Sequence, residues 1–301
     1  MKKNLLIIGG TGFLGYHFAK KLLKSSFNIT IVSLTKPKKI RHLKKIKYVQ
    51  CDVSKKKDVN KKIKKNFKYI FNFSGHVDHK NKKKTMLSHY VGTQNLSNHF
   101  KNKKIELFVQ IGSGLEYGKN KSPQVEKEKS IPISNYAKSK YFASQHLLTM
   151  YKKYDFPVVI VRAYQVYGPQ QDNNRLIPFV ISKCLEGDIF PCSSGNQYRD
   201  FLYVNDFVNF LKKVLQNKKI CKGHIFNLGV GKSYKIKKII SFIQKKIGKG
   251  NPKFGLIKLR KEESQNVFPN IKKAKEILNW EPTTSLQKGL SATIDSYRKK
   301  L

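Results

Sequence analysis

The sequence predicts an α/β protein: a doubly wound parallel sheet with a smaller C-terminal domain interleaved with it. Three observations carry that prediction. Short apolar runs alternate with helical patterns through the first half of the 301 residues. A glycine-rich turn follows the first run at once, and Tyr136 and Lys140 fall on one face of a long helical stretch. Alternation of this kind favours parallel strands covered by helices on both faces.

Leu5-Leu-Ile-Ile8 is the first run, wholly apolar as a strand buried on both faces must be. Gly9-Gly-Thr11-Gly12-Phe13-Leu14-Gly15 comes next, then a helical pattern with Phe18, Leu22 and Leu23 on one side. Strand, turn and helix in that order set backbone N–H groups and a helix N-terminus against a phosphate, the Rossmann-type arrangement. Gly9 permits the tight turn, Gly12 the approach of a pyrophosphate, and Gly15 close packing of the helix. The spacing is G-x-x-G-x-x-G.

Further strands are expected at residues 29–32, 47–50, 69–73, 107–111 and 157–161, with helices at 86–100 and 135–154. Beyond Gly168-Pro169 the alternation loosens, and Pro178, Pro191 and Gly195 mark irregular connections. Short strands return at 201–204 and 225–228, and amphipathic helices lie near 236–247 and 270–279. The expected division is a dinucleotide-binding domain over 1–165, with returning segments near 199–230, and a mainly substrate-binding domain over 166–301.

Composition narrows the function classes. The net charge of +44 invites a nucleic-acid reading. Only six of the 62 basic residues are arginine, however, and the lysines are spread through nearly every helix and loop. A nucleic-acid surface would concentrate charge and favour the planar fork of arginine. The charge therefore reads as compositional bias, with some salt-sensitive attraction to polyanions. No stretch approaches the roughly 18 apolar residues of a membrane span, and a cytoplasmic protein is expected. Met1-Lys-Lys before apolar residues lacks the length and cleavage site of a secretory signal. Cys51, Cys184, Cys192 and Cys221 show no C-x-x-C pair or metal spacing, so they read as reduced, with no metal.

Tyr136 and Lys140 lie about 40° apart around a helix, so both side chains leave the same face. An ammonium beside a phenol favours the phenolate and is expected to pull the tyrosine pKa down. Such a pair can exchange a proton with a substrate oxygen near neutral pH. In a lysine-rich helix the spacing alone also fits a solvated face. The glycine turn tips the balance toward chemistry.

With these blocks in order, the chain resembles the extended short-chain dehydrogenase/reductases that act on nucleotide sugars. The resemblance rests on the glycine turn, Ser113 with Tyr117-Gly118, Tyr136/Lys140, Arg162-Ala-Tyr-Gln-Val-Tyr-Gly-Pro169, Gln197 to Asp206, and Asn279-Trp-Glu-Pro282. It implies that Ser113 bonds the reacting oxygen, Tyr136 is the proton donor or acceptor, and Lys140 holds the nicotinamide ribose. It places the cofactor against Gly9, Thr11, Gly12, Phe13, Leu14 and Gly15, then Ser33 and Lys36, Asp52 and Val53, Ser74, and finally Tyr136, Lys140 and Tyr164. Substrate contacts would come from Ser113, Gln165, Arg199 and Arg260, the two arginines gripping a diphosphate. The asparagine usual in relatives is replaced by Gln165, and His89 stands where N-x-x-G-T would begin. Relatives commonly pair through a helical bundle that includes the Tyr/Lys helix, so a homodimer is expected, with Ala137, Ala143, Leu147 and Leu148 compatible with a packed face.

Two departures bear on the reaction. NAD-binding members usually carry an acid after the second strand, whereas this chain has Ser33 followed by Thr35, Lys36, Lys38, Lys39 and Arg41. That pattern suits a 2′-phosphate and predicts NADP(H) in preference to NAD(H). Gly114-Leu115 replaces the Asp-Glu of members that dehydrate the sugar, while Glu116-Tyr117-Gly118 resembles reductases of 4-keto-6-deoxy sugar nucleotides. Reduction of such a keto-sugar is the first expectation and C4 epimerisation with retained NAD the alternative. A non-catalytic nucleotide- or polyanion-binding scaffold would have no need of Ser113, Tyr136 and Lys140.

Overall fold

Apolar runs that demand burial on both faces organise the first half of the chain. In a computed structural model, which describes residues 2–76, 81–259 and 263–299, these runs become β1 (Lys3–Ile8), β2 (Phe27–Ser33), β3 (Lys47–Gln50), β4 (Tyr69–Asn72), β5 (Leu107–Ser113) and β6 (Val158–Ala163). Between them run α1 (Phe13–Leu22), α2 (Lys56–Lys62), α3 (Lys82–Met86), α4 (Gly92–Phe100) and α5 (Asn135–Tyr154). A π-helical turn at Leu87–Val91 links α3 to α4. Such turns are uncommon and recur at functional sites.

The second half supplies β7 (Gln165–Tyr167), α6 (Leu176–Glu186), β8 (Ile189–Pro191), β9 (Tyr198–Arg199), β10 (Phe201–Tyr203), α7 (Val204–Gln216), α8 (Lys218–Cys221) and β11 (Ile225–Leu228). It ends in β12 (Tyr234–Lys235), α9 (Ile236–Ile247), β13 (Asn251–Lys253), β14 (Asn266–Val267), α10 (Lys272–Leu278) and α11 (Leu286–Arg298). The central sheet has the order β3-β2-β1-β4-β5-β6-β11 and is parallel throughout. The chain thus returns to complete the sheet with β11 after leaving it at β6.

Alternation of side chains along the strands divides the core. Leu5 and Ile7 face a cluster with Phe18 of α1 and Phe207, Phe210 and Leu211 of α7. Leu6 and Ile8 face the opposite cluster with Val59, Leu96 and Leu147 of α2, α4 and α5. A third core joins Val180 and Ile181 of α6, Ile239 and Ile243 of α9, and Leu290 and Ile294 of α11. All four cysteines are buried and unpaired.

Helices α2, α6, α7, α8 and α11, and all of α3 but Met86, lie where the sequence reading placed no helix. The most instructive is α7, which starts at Val204 directly after β10. With no turn residue between them, the apolar run Phe201-Leu-Tyr-Val204 reads as one strand although its last residue opens a helix. Val204, Phe207, Val208, Phe210, Leu211, Val214 and Leu215 form its buried stripe. On α5, Ala137, Ala143 and Leu147 are buried within the monomer, so they are not available to a partner; Phe142, 43% exposed and ring-to-ring with Tyr90, faces outward instead.

The C-terminal region is clamped to α7 by one carboxylate. Asp206 is buried and accepts hydrogen bonds from Thr283 N (3.2 Å), Thr283 Oγ1 (2.9 Å) and Thr284 N (3.0 Å), and the buried Trp280 ring packs edge-on against Phe210 of the same helix. Asp206→Ala is expected to lower the unfolding free energy by about 1–3 kcal/mol. Urea titration read through the sole tryptophan, Trp280, checks this; an unchanged midpoint would remove the clamp from the account.

Candidate active site

The carboxyl ends of the parallel strands open into one cavity of about 830 Å³, at the place where open α/β sheets bind ligands. Its floor is the turn between β1 and α1. Gly9 has φ +74°, and a Cβ there would stand 2.8 Å from Ser74 N. A Cβ on Gly15 would lie 2.7 Å from Gly10 Cα, so the first turn of α1 sits directly on the loop. No side chain caps the N-terminus of α1. Its leading N–H groups and positive dipole end are open to an anion, and this cradle fits a dinucleotide diphosphate.

Ser113 ends β5 and opens a short turn, Gly114–Tyr117. Its Oγ accepts from Leu115 N at 3.2 Å, and its own N–H donates to Glu116 Oε1 at 2.8 Å, a reciprocal cap. Ser134 caps α5 by accepting from Ala137 N at 3.1 Å. The helix then brings half-buried Tyr136 and buried Lys140, one turn apart, to the wall opposite the glycine loop. The Tyr136 hydroxyl and the Ser113 side chain are hydrogen-bonded, and Lys140 Nζ donates to Ile111 O at 2.7 Å.

The electrostatics correct one expectation. Burial raises the Tyr136 pKa, against the lowering influence of Arg175 and of the Ser113 hydrogen bond. Lys140 does not pull it down, because its ammonium is turned to the Ile111 carbonyl and is itself buried. Its pKa falls to about 8, opposed only by Glu116. His89, on the π turn, sets its ring edge-on to Tyr136 with centroids 5.2 Å apart and an 89° interplanar angle. His89 Nε2 donates to His76 O at 2.9 Å, and burial holds its pKa well below the usual histidine value. Lining the cavity and packed on Tyr136, it belongs to the site, a placement that a lone histidine in sequence does not signal.

Glu116 has a different place from the one its sequence context suggests. It is completely buried, accepts from Arg162 Nε at 3.1 Å, and does not line the cavity. Arg162 lies over the Tyr117 ring at 4.4 Å. Glu116 therefore braces the turn that presents Ser113. Gly114 is covered by the Tyr164 ring, which a Cβ would strike at 2.6 Å, and Tyr164 OH donates to Gln124 Oε1 at 2.7 Å.

At the far end of the cavity, Ser33 Oγ accepts from Thr11 N at 3.3 Å, and Asp52 accepts from Ser54 N (3.0 Å) and Ser54 Oγ (2.7 Å). Val53 and Ser74 also line this cavity, whereas Lys36 does not. Lys38 and Arg41, expected to be open to a phosphate, are instead engaged by Asp172, at 2.6 and 2.9 Å. Asp172 was not singled out in the sequence; its signal is an acid just past Gly168-Pro169 in a chain with only 18 acids. On the substrate side, Gln165 is exposed on the cavity rim. Arg199 is buried, donates to Tyr198 O at 2.6 Å and is ion-paired with Glu263. Arg260 lies outside the described residues.

Comparison with known proteins decides the family. A family model described as the NAD dependent epimerase/dehydratase family matches residues 5–229. The chain belongs to this family. It is an enzyme of the extended short-chain dehydrogenase/reductase type. It is 28% identical over 306 residues to a putative UDP-glucose 4-epimerase of Methanocaldococcus jannaschii, covering 97% of each chain. It is 27% identical to a trifunctional UDP-glucose 4,6-dehydratase, 3,5-epimerase and UDP-4-keto-L-rhamnose-reductase of Arabidopsis thaliana, spanning 98% of this chain but 47% of that protein. Among solved structures, Pal from Bacillus thuringiensis superposes with a TM-score of 0.91 at 26% identity, covering 99% of this chain and all of that one. A Bacillus cereus UDP-glucuronic acid 4-epimerase, solved with a fluorinated UDP-sugar and NAD, shares the fold with a TM-score of 0.91 at 24% identity, over 99% of this chain and 100% of that one.

In this epimerase/dehydratase chain the buried Lys140 ammonium opposes folding. Its pKa drops from 10.5 to about 8, so between those values the folded state binds fewer protons than the unfolded state. The stability contributed by this group therefore rises with pH from about 8 to about 10.5 and is lowest at neutral pH. Lys140→Met is expected to stabilise the cofactor-free protein at pH 7 by about 1–3 kcal/mol, after loss of the Ile111 hydrogen bond. Denaturant unfolding at pH 7 and pH 10 checks this: a variant no more stable than the parent at pH 7 would contradict it.

Proposed function

We propose that this enzyme oxidises and re-reduces one carbon of a nucleotide-linked sugar, with C4 epimerisation as the net reaction. One observation carries the reading: the glycine turn, Ser113, Tyr136 and Lys140 all line a single cavity. A nicotinamide dinucleotide bound there supplies the hydride acceptor and donor. Tyr136 takes the proton from the sugar hydroxyl as the carbon is oxidised and returns it on reduction. Ser113 holds the reacting oxygen, and Lys140 bonds a ribose hydroxyl. Positive charge from Arg175 and from an oxidised nicotinamide ring brings the phenol toward its working range.

Dehydration does not fit, because Gly114 and Leu115 offer no acid or base beside Ser113. Reduction of a 4-keto-6-deoxy sugar nucleotide is the second reading, favoured by Glu116-Tyr117-Gly118. Two observations weigh for the epimerase instead. Glu116 braces the turn rather than facing substrate, and Lys38 and Arg41 are already held by a carboxylate, which weakens the case for NADP(H). Residues 1–165 with 199–230 carry the cofactor, and the remainder carries the sugar nucleotide, with Gln165 and Arg199 at its rim. Arg199 would exchange or share Glu263 to reach a diphosphate. A cytoplasmic homodimer contacting through α4 and α5 completes the proposal; no described helix is long and apolar enough to cross a membrane.

Tyr136→Phe is expected to cut turnover by about 10³-fold while leaving the cofactor dissociation constant within about twofold. Assays with a panel of UDP- and dTDP-sugars, combined with mass spectrometry of the purified protein, test the reading. Cofactor that co-purifies and survives many turnovers supports epimerisation. Stoichiometric loss of reduced nicotinamide absorbance would establish the reductase instead, and full activity of the phenylalanine variant would remove Tyr136 from the chemistry.

A further inference from the structure

The end of β2 lacks the acid that would read a ribose 2′-hydroxyl in an NAD site. Ser33 stands there, and its hydroxyl already accepts the Thr11 N–H at 3.3 Å. Across the same cavity, the loop after β7 presents Asp172 toward the segment that follows Ser33. Ser33, Leu34, Thr35 and Asp172 all line the same cavity. We propose that Asp172 supplies, from the opposite wall, the carboxylate that selects an adenosine ribose with a free 2′-hydroxyl, making this protein selective for NAD(H) over NADP(H). The inference rests on the reading of this cavity as a nicotinamide-dinucleotide site.

The geometry supports a fixed carboxylate. Lys38 Nζ lies 2.6 Å from Asp172 Oδ1, and Arg41 Nη2 lies 2.9 Å from Oδ2. Arg41 is buried, and it also donates twice to the neighbouring Gln170 carbonyl, from Nε at 3.1 Å and Nη2 at 2.5 Å. A guanidinium used in this way sets both the loop backbone and the carboxylate, because its planar fork fixes direction as well as charge. His17 Nε2 holds the Pro169 carbonyl at 2.8 Å from α1, Gln171 Nε2 donates to Val166 O at 2.9 Å, and the Tyr297 hydroxyl bonds the Gln171 carbonyl from α11. The loop is thus held from three sides.

The two cations keep the carboxyl ionised, below its usual range. Asp172 offsets one of their two charges and occupies a donor of each, which alters the meaning of the basic run after Ser33. A 2′-phosphate would have to displace an ionised carboxylate from both cations and then sit beside it. A 2′-hydroxyl needs only an acceptor, and Asp172 has lone pairs beyond those facing Lys38 and Arg41.

Isothermal titration of the wild type and Asp172→Asn, each first stripped of co-purifying nucleotide and checked for its absence by mass spectrometry, with NAD⁺ and NADP⁺ tests the proposal by binding. The wild type is expected to bind NAD⁺ at least about tenfold more tightly than NADP⁺. Asp172→Asn should weaken NAD⁺ and strengthen NADP⁺, shifting the ratio by about 20-fold or more, the scale of one charged hydrogen bond gained or lost. The wild-type ratio needs no variant, so it stands even if the substitution disturbs the loop; Trp280 emission reports whether the variant is folded. A wild type that prefers NADP⁺, or a folded variant with an unmoved ratio, overturns the role of Asp172 while leaving the cofactor site intact. Binding of neither nucleotide overturns the cofactor reading itself and this inference with it.

Discussion

A single buried carboxylate organises the turn that presents Ser113 to the cavity. Glu116 accepts the Ser113 N–H with one oxygen and the Arg162 Nε with the other, joining the end of β5 to the last residues of β6. Removing either partner would leave a charge stranded in the core, so the arrangement is maintained as a unit. From it the rest of the site follows. Ser113 is aimed at the α5 helix, Arg162 lies flat on Tyr117, and the Tyr117 hydroxyl donates to Asn227 of β11 at 2.8 Å. Asn227 in turn donates to the Gln124 carbonyl at 2.8 Å, and Gln124 accepts from Tyr164 above Gly114. A strand contributed late in the sequence is thereby tied to residues that line the cavity.

The same economy of acids recurs elsewhere. With 18 acidic residues against 62 basic ones, most lysines can only face solvent, and a carboxylate that is buried marks a junction. Asp200 accepts from Val230 N at 2.8 Å and Gly231 N at 2.7 Å, closing the segment after β11 onto β10. Asp206 anchors the C-terminal region, and Asp172 ties the loop after β7 to the segment after β2. Surface lysines contribute little specific energy and are screened by salt, whereas the contacts of buried Asp200 and Asp206, and of buried Arg41 with half-buried Asp172, fix how distant segments meet.

Within that frame Tyr136 and Lys140 are held in tension. Burial disfavours both the phenolate of Tyr136 and the ammonium of Lys140, which raises the first pKa and lowers the second. The protein alone does not activate the tyrosine. In the proposed reaction, positive charge at the cavity wall and on an oxidised nicotinamide ring would supply the balance and so couple proton transfer to occupancy of the site.

How much of this was legible in the sequence follows from the range of the interactions involved. The first strand, the glycine turn, the sheet class and the span of α5 were readable because each depends on neighbours in sequence: an apolar run, a positive φ at Gly9, a helical period. The family blocks likewise pointed to Ser113, Tyr136 and Lys140. What the tertiary structure alone decided were contacts between distant segments. Arg41 and Lys38 read as free cations until Asp172, more than 130 residues away, was found against them. Glu116 read only as part of a Glu-Tyr-Gly block resembling that of the reductases, and its pairing with Arg162 places it underneath the turn. Helix α7 was hidden because β10 runs into it without a turn. Lys140 read as the partner of Tyr136 because helical spacing sets a shared face but not where a flexible ammonium finds its acceptor.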